Sequence, residues 1–179
     1  MTLVKDFRKN ERGATMAEFA MVATFFFMLI FGIIEFSRFL YTHNALTDAA
    51  RRGARYAVIH RSDEVDGEGN SIAAKCVKNV VMYGETHISA YPECDPLDGS
   101  TVLINGIQTA TIAVTYDGVD LDSDPDTRNP YGSNLGTATV TITGYVFTIS
   151  IPLYRQAVTM GTYTTTLPAE SAGFEPDDI

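Results

Sequence analysis

An uninterrupted apolar run near the N-terminus limits the folds open to this chain more than any other feature. From Ala14 to Ile34 the only strongly polar side chain is Glu18. A helix over that run is about 31 Å long at about 1.5 Å per residue, and the hydrocarbon core of a bilayer is roughly 30 Å thick. The run therefore predicts one membrane-spanning helix over residues 14–35.

Basic residues flank the run on both sides, so their number alone does not set its orientation. Four precede it and five follow it: Lys5, Arg8, Lys9 and Arg12, then Arg38, Arg51, Arg52, Arg55 and Arg61. The second group leads into a long acidic region, and long domains cross membranes largely regardless of charge. We therefore expect a cytoplasmic leader over residues 1–13, with the chain after the span outside. No small-residue cleavage site follows a short apolar core, which favours a retained anchor over a secretory signal.

The charge of the outer part argues against binding of nucleic acid. The whole chain carries a net charge of −9, but from Asp63 onward seventeen acidic residues face four basic ones, a balance of −13. Phosphate backbones are bound by basic surfaces. Nucleic acid is therefore not expected as a partner.

The helical pattern continues beyond the apolar run. From Glu35 to Ile59 only Gly53 disfavours a helix, which predicts an outward extension over residues 36–62. Along it, very small side chains recur at every fourth position: Ala45, Ala49, Gly53 and Ala57. Such a stripe lets another backbone approach closely, and its partner is either a second helix or a sheet of the same chain.

From residue 63 the pattern becomes that of a small α+β domain, which we expect to reach residue 179. Ser71 can cap a second helix, SIAAKCVKNVVMYG, that ends at Gly84. Segments rich in Thr, Val, Ile and Tyr then predict an antiparallel sheet: THISAY, TVLINGIQTATIAVTY with a turn at Asn105-Gly106, TATVTITGYVFTISI and AVTMGTYTTTL. The acidic tail ESAGFEPDDI is expected to be disordered.

Both cysteines, Cys76 and Cys94, lie on the predicted outer side. In an oxidising compartment, two cysteines in a small domain are more often bridged than free. We therefore predict a disulfide between them, and the alternative is two buried thiols that never meet. No pair of histidines accompanies them, so a zinc site is not expected.

Residues that could carry catalysis or bind metal are few. His43, His60 and His87 lie in no recognisable catalytic motif and are interpreted as surface or stem residues. The acidic loop after Asp117 offers weak candidates for calcium binding: Asp120, Asp122, Asp124 and Asp126. Counting from Asp120, however, Pro125 and Tyr131 stand where an EF-hand needs glycine and glutamate. We interpret the segment as a solvated acidic loop, with no metal or cofactor.

Gly13 and Glu18 form the most informative pattern. A carboxylate within an apolar span costs roughly 2 to 4 kcal/mol unless it is shallow or paired. One explanation is that Glu18 reaches back to the membrane interface and suits the helix dipole. This leaves the glycine unexplained. If the chain is cut after Gly13, the new ammonium of Ala14 lies one helical turn from Glu18, which can neutralise it in the same chain or in a neighbour.

Residues 13–58 resemble the TadE-like family of pseudopilins. The resemblance rests on the pattern G-x-x-x-x-E-F before the apolar run, on GIIEFSRFLY at its end and on the extension NALTDAARRGARYAV. It implies a minor component of the tight-adherence (Flp) pilus machinery, held in the inner membrane of a Gram-negative bacterium. It also implies that a prepilin peptidase cuts between Gly13 and Ala14, and that Glu18 and Phe19 serve recognition and assembly. Major Flp pilins often carry tyrosine after the glutamate, where this chain has Phe19.

The sequence thus predicts a non-enzymatic, single-span α+β protein with a periplasmic head domain. Its expected partners are the prepilin peptidase, other Tad pilins and pseudopilins, and the inner membrane, and it could enter the pilus or its tip. Two alternatives stay open. One is an unprocessed, membrane-anchored binding or adhesin-like module, and the other is an anchored enzyme that uses the aspartate loop and a metal.

Overall fold

A single helix, α1 (Leu3–Ile59), contains the whole apolar run and most of the extension expected over residues 36–62. The computed structural model describes residues 3–60, 71–117, 137–152 and 154–168, with side chains described from Gly13 onward. The helix is unbroken because no proline occurs before Pro92 and its glycines are isolated. The prediction of a helix continuing to Ile59 is confirmed.

In the described ranges, the remaining elements are one further helix, five strands and two short turns of 3₁₀ helix. They are α2 (Ile72–Tyr83), β1 (Thr111–Asp117), β2 (Thr137–Thr143), β3 (Val146–Ile151), β4 (Tyr154–Thr159) and β5 (Tyr163–Pro168), with 3₁₀ turns at Glu85–His87 and Ile107–Thr109. The predicted α+β class is confirmed.

The chain forms two compact units. The first consists of Met1–Tyr41 and Thr148–Val158, and the second of Thr42–Phe147 and Thr159–Ile179. The first therefore combines the apolar part of α1 with most of the two-stranded sheet of β3 and β4. The second contains the outer part of α1, α2 and a three-stranded sheet.

The sheet of the second unit is antiparallel, in the order β1-β2-β5. Alternate residues of the central strand β2 are buried: Ala138, Val140 and Ile142. On the opposite face the hydroxyl oxygens of Thr139 and Thr166 lie 2.8 Å apart across the strand pair. This alternation is typical of a sheet with one packed face and one solvated face.

Gly53 lies where α1, α2 and this sheet meet. A Cβ added at Gly53 would lie 2.5 Å from Cγ2 of Val81, and 3.4 Å from Cγ1 of both Val77 and Val140. The neighbouring small residues on that face of α1 are also buried: Ala49, Ala50, Ala54 and Ala57. Most of the small-residue stripe is therefore covered within the same chain, by α2 as well as by the expected sheet.

The second helix matches its prediction closely. The Ser71 hydroxyl accepts a hydrogen bond from the backbone N–H of Ala74 at 3.2 Å, and the N–H of Gly84 bonds to the carbonyl of Val80 at 2.9 Å. These contacts satisfy backbone groups at the two ends of the helix. Cys76 lies on its buried face, as predicted.

Two predicted strands are wrong. THISAY forms the 3₁₀ turn Glu85–His87 and a single β-bridge between Ile88 and Pro96. The segment before Asn105-Gly106 forms no strand, because the N–H of Leu103 bonds to the carbonyl of Met82 at the end of α2. Gly106 does adopt the left-handed conformation of a turn, but a 3₁₀ turn follows it and the hairpin is absent.

Candidate functional site

The strongest candidate site is the N-terminal part of α1, beginning at Gly13. Gly13 and Ala14 are both exposed, and no described atom lies within 4 Å of a Cβ added at Gly13. A glycine inside a helix costs roughly 1 kcal/mol relative to alanine. Gly53 needs its small size for packing, whereas the packing around Gly13 provides no such reason. Among the described residues, Gly13 therefore has no packing role that requires a glycine.

Glu18 and Phe19 lie one turn further along the same helix and are also exposed. Glu18 lies four positions after Ala14, so their side chains lie on one face, about 6 Å apart along the axis. Among the residues whose side chains the structure describes, none is paired with Glu18. Its carboxylate is thus exposed on the face of α1 that carries Ala14.

The helix after Phe19 presents large apolar side chains on all its faces. Four consecutive residues, which point in different directions around the helix, are each more than half exposed: Phe25, Phe26, Phe27 and Met28. Exposed apolar surface on this scale marks a binding or membrane-contacting surface. Among the described residues, one helical segment, Gly13–Ile59, contains a stretch long and apolar enough to cross a membrane. A single-pass anchor is consistent with this helix.

A pair of opposite charges marks the outer end of the apolar stretch. The guanidinium of Arg38 donates to both carboxylate oxygens of Glu35, at 2.9 Å from Nε and 2.5 Å from Nη2. Glu35 also accepts a hydrogen bond from the backbone N–H of Ser150, 2.6 Å from its Oε1, while Arg38 donates to the carbonyl of Thr148. The Glu35 side chain is only 12 % exposed, and these bonds offset the cost of removing its charge from water.

Glu35 and Arg38 were not predicted from the sequence as a functional pair. An acid and a base three residues apart face the same side of a helix, and this pair ends an apolar run. That signal was available in the sequence. The β3 backbone that completes the cluster was not, because residues 148 and 150 lie more than a hundred positions away.

A disulfide joins Cys76 of α2 to Cys94, with a Cα–Cα distance of 5.0 Å. Both residues are fully buried. The hydroxyl oxygen of Tyr56 lies 3.4 Å from Sγ of Cys94, and the side-chain amide of Asn79 donates to the Cys94 carbonyl at 2.8 Å. The bridge therefore ties the loop after α2 to the core of the second unit.

The three histidines lie in different surroundings, and the contacts of His43 and His60 are typical of packing. Nδ1 of His43 lies 2.9 Å from the hydroxyl oxygen of Tyr163, whose pKa is raised by burial. Nδ1 of His60 lies 3.0 Å from the Tyr56 carbonyl, and its ring stacks on that of Tyr56. His87 is exposed in a 3₁₀ turn. Each histidine thus lies in a separate setting.

Asp120, Asp122, Asp124 and Asp126 lie outside the described residues. Within the described ranges, no group of three or more His, Cys, Asp or Glu side chains could hold a metal ion.

Comparison with known protein families matches residues 13–55 to the family described as TadE-like protein. The match begins at the exposed Gly13 and covers 43 of the 179 residues, all of them within α1. The resemblance inferred from the sequence is confirmed over that segment. Searches of curated proteins and of solved structures found no match.

Proposed function

We propose that this chain, whose residues 13–55 match the TadE-like family, is a minor pilin-like component of the Tad (Flp) pilus assembly system. In this proposal α1 anchors the subunit in the inner membrane through residues 14–35, with the leader in the cytoplasm and the head in the periplasm. A prepilin peptidase cuts between Gly13 and Ala14. The protein acts by assembly with other Tad pilins and pseudopilins and not as an enzyme.

One observation carries the proposal. The family match starts at a helical glycine that no described packing requires, and Glu18 follows Ala14 by one turn on an exposed apolar helix. A glycine without a packing role, directly before the apolar segment, fits a recognition site for a peptidase. A carboxylate one turn later fits a partner for the amine that cleavage creates.

The proposed mechanism follows from the charges along this helix. Before cleavage, Glu18 is a carboxylate in an apolar segment, which is costly in a bilayer. Cleavage creates an ammonium at Ala14, at the end of the helix where the macrodipole is already positive. In an assembly, Glu18 relieves that charge in its own chain or in a neighbour. A neighbour's ammonium would fix the axial register of two adjacent helices.

The disulfide supports the proposed orientation. Disulfides persist in the periplasm and are rare in the cytosol. A bridge between Cys76 and Cys94 therefore fits a second unit on the outer side of the membrane. The leader then lies on the inner side, where a membrane-embedded peptidase can reach residue 13.

The test is the intact mass of the protein extracted from membranes of its host, with and without an active prepilin peptidase. If the chain is cleaved, its mass should be that of a chain beginning at Ala14 in the strain with an active peptidase. In the strain without one, the mass should be that of a chain beginning at Met1. Gly13→Leu should abolish the difference. Gly32→Leu is the matched control, because Gly32 lies on the same helix and also has no described atom within 4 Å of an added Cβ.

A mass beginning at Met1 in cells with an active peptidase would contradict the processing claim. Together with normal pilus formation after deletion of the gene, that result would favour the unprocessed binding or adhesin-like module.

A further inference from the structure

The hairpin of β3 and β4 is attached to α1 at the outer end of the predicted membrane span. Two contacts within the first unit make this attachment: Ser150 N–H to Glu35 Oε1 at 2.6 Å, and Arg38 Nη2 to the Thr148 carbonyl oxygen. Both join side chains of α1 to the backbone of β3. We call these four residues the Glu35 clamp.

The order of these contacts sets the direction of the strand. Thr148 bonds to Arg38, and Ser150, two residues later, bonds to Glu35, three residues earlier. Strand β3 therefore runs along α1 toward the N-terminus of the helix, which is toward the membrane. An extended strand advances about 3.3 Å per residue, so Pro152 lies up to roughly 7 Å beyond Ser150 in that direction.

The connection between the two strands lies at this membrane-facing end. β3 ends at Ile151 and β4 begins at Tyr154, so two residues join them. A connection that short joins antiparallel strands. Glu35 marks the end of the apolar run. The end of the hairpin therefore lies beside the apolar part of α1 and not beside its outer, more polar part.

The side chains at this end suit the boundary between lipid and water. Ile151 and Pro152 are apolar, Tyr154 is 53 % exposed and Arg155 is exposed. Tyrosine is enriched at membrane interfaces, where its ring lies among headgroups and its hydroxyl remains hydrated. Arginine extends its charge toward lipid phosphates while its stem stays among apolar groups.

We propose that the described end of this hairpin, Ile151, Pro152, Tyr154 and Arg155, inserts into the outer interface of the bilayer as a second membrane contact. The Glu35 clamp holds it there. This inference rests on the proposed membrane anchor, and it adds a lipid-binding surface formed by residues far from the apolar run in sequence.

The chain contains no tryptophan, so a single introduced tryptophan reports its own depth. The full-length protein is reconstituted in vesicles of phosphatidylcholine and phosphatidylglycerol that carry bromine at defined acyl carbons. Tyr154→Trp is compared with Phe26→Trp, within the span, and with Tyr41→Trp, six residues beyond Glu35. All three positions are more than half exposed.

The tryptophan fluorescence of the Phe26→Trp protein should be quenched most by deeply brominated lipid. Tyr154→Trp should be quenched most by shallowly brominated lipid, roughly twofold more than Tyr41→Trp, because aromatic side chains lie at the headgroup level. If Phe26→Trp is quenched but Tyr154→Trp is quenched no more than Tyr41→Trp, the hairpin inference is wrong and the anchor stands. If Phe26→Trp is not quenched, the anchor fails and the inference fails with it.

The clamp is tested in the Tyr154→Trp protein. Glu35→Leu removes the acceptor for the Ser150 N–H and the partner of Arg38, so quenching should fall to the Tyr41→Trp value. Glu35→Gln keeps an acceptor oxygen and should retain most of the quenching. Equal quenching in the parent and the Glu35→Leu protein would contradict the role of the clamp.

Discussion

A Cβ added at Gly53 of α1 would lie 2.5 Å from Cγ2 of Val81 on α2. Real Cβ atoms do not approach other atoms so closely, so the glycine sets the separation of the two helices at this point. Valine is β-branched and stiff about χ1, which limits how far Val81 can yield. Gly53 is therefore a packing residue, while Gly13 and Gly32 on the same helix have no described atom within 4 Å of an added Cβ.

Gly53→Ala should destabilise the second unit despite alanine's higher helix propensity. The propensity gain is about 1 kcal/mol, and overpacking typically costs about 1 to 3 kcal/mol. We expect a net loss of about 1 kcal/mol in the free energy of unfolding, measured by urea denaturation in detergent. Gly32→Ala is the matched control and should cause no loss. Addition of Val81→Ala should offset part of the Gly53→Ala loss, and strict additivity of the two changes would contradict the contact.

Loss of the disulfide should weaken the second unit substantially. Cys76 and Cys94 are 18 residues apart, and a loop of that size corresponds to about 3 kcal/mol in the chain-entropy view. The double variant Cys76→Ala/Cys94→Ala should lower the free energy of unfolding by that amount. Thiol alkylation of whole cells, with and without prior reduction, should find both cysteines oxidised. Free thiols in untreated cells would contradict a periplasmic head.

Replacement by phenylalanine should lower the free energy of unfolding at Tyr145 but not at Tyr116. The buried hydroxyl of Tyr116 has no hydrogen-bond partner among the described residues, whereas that of Tyr145 donates to the Asn105 carbonyl at 2.7 Å. Tyr145→Phe should cost about 1 kcal/mol, and Tyr116→Phe should be neutral or stabilising. Chemical denaturation of the two variants measures the difference. A larger loss for Tyr116→Phe would mean that its hydroxyl is satisfied.

Stability should fall at alkaline pH, partly through Tyr116. Burial raises the pKa of its hydroxyl to about 12 from the usual value near 10. The folded state therefore keeps a proton that the unfolded state releases, and this contribution is present below pH 10 and is lost as pH rises from 10 to 12. The slope for one such group is at most about 1.4 kcal/mol per pH unit. Tyr116→Phe should flatten the decline in unfolding free energy over that range, and an unchanged slope would contradict it.

Glu18→Ala should separate processing from assembly. The carboxylate lies one turn after Ala14, so its removal leaves the Gly13–Ala14 bond unchanged and removes the partner of the new amine. We expect a mature mass beginning at Ala14 together with a large loss of pili, counted by electron microscopy. Glu18→Asp keeps the charge and should retain part of the function. Undiminished piliation in Glu18→Ala would contradict the role in register.

Much of the fold could be predicted because its signals are local. Each of these signals acts within a few residues: the apolar run, the helical periodicity up to Ile59, and the capping residues Ser71 and Gly84 at the ends of α2. The mistakes arose where the backbone bonds to a distant segment. The N–H of Leu103 bonds to the carbonyl of Met82 at the end of α2, so the segment before Asn105 forms no strand despite its strand-like composition.

The sequence by itself determined the helix, its apolar surface and the Gly13–Glu18 spacing, because helical geometry fixes which side chains lie one turn apart. Tertiary structure alone decided which glycine is needed for packing and which backbone groups bond to Glu35 and Arg38 at the end of the span. The sequence places Gly13 before Glu18 and Gly53 within the small-residue stripe, but it does not show which glycine must stay small. Gly53 must, because side chains of α2 and β2 pack against it. Likewise, Glu35 bonds to Ser150 only because the chain folds back along α1, and such long-range contacts leave no local pattern.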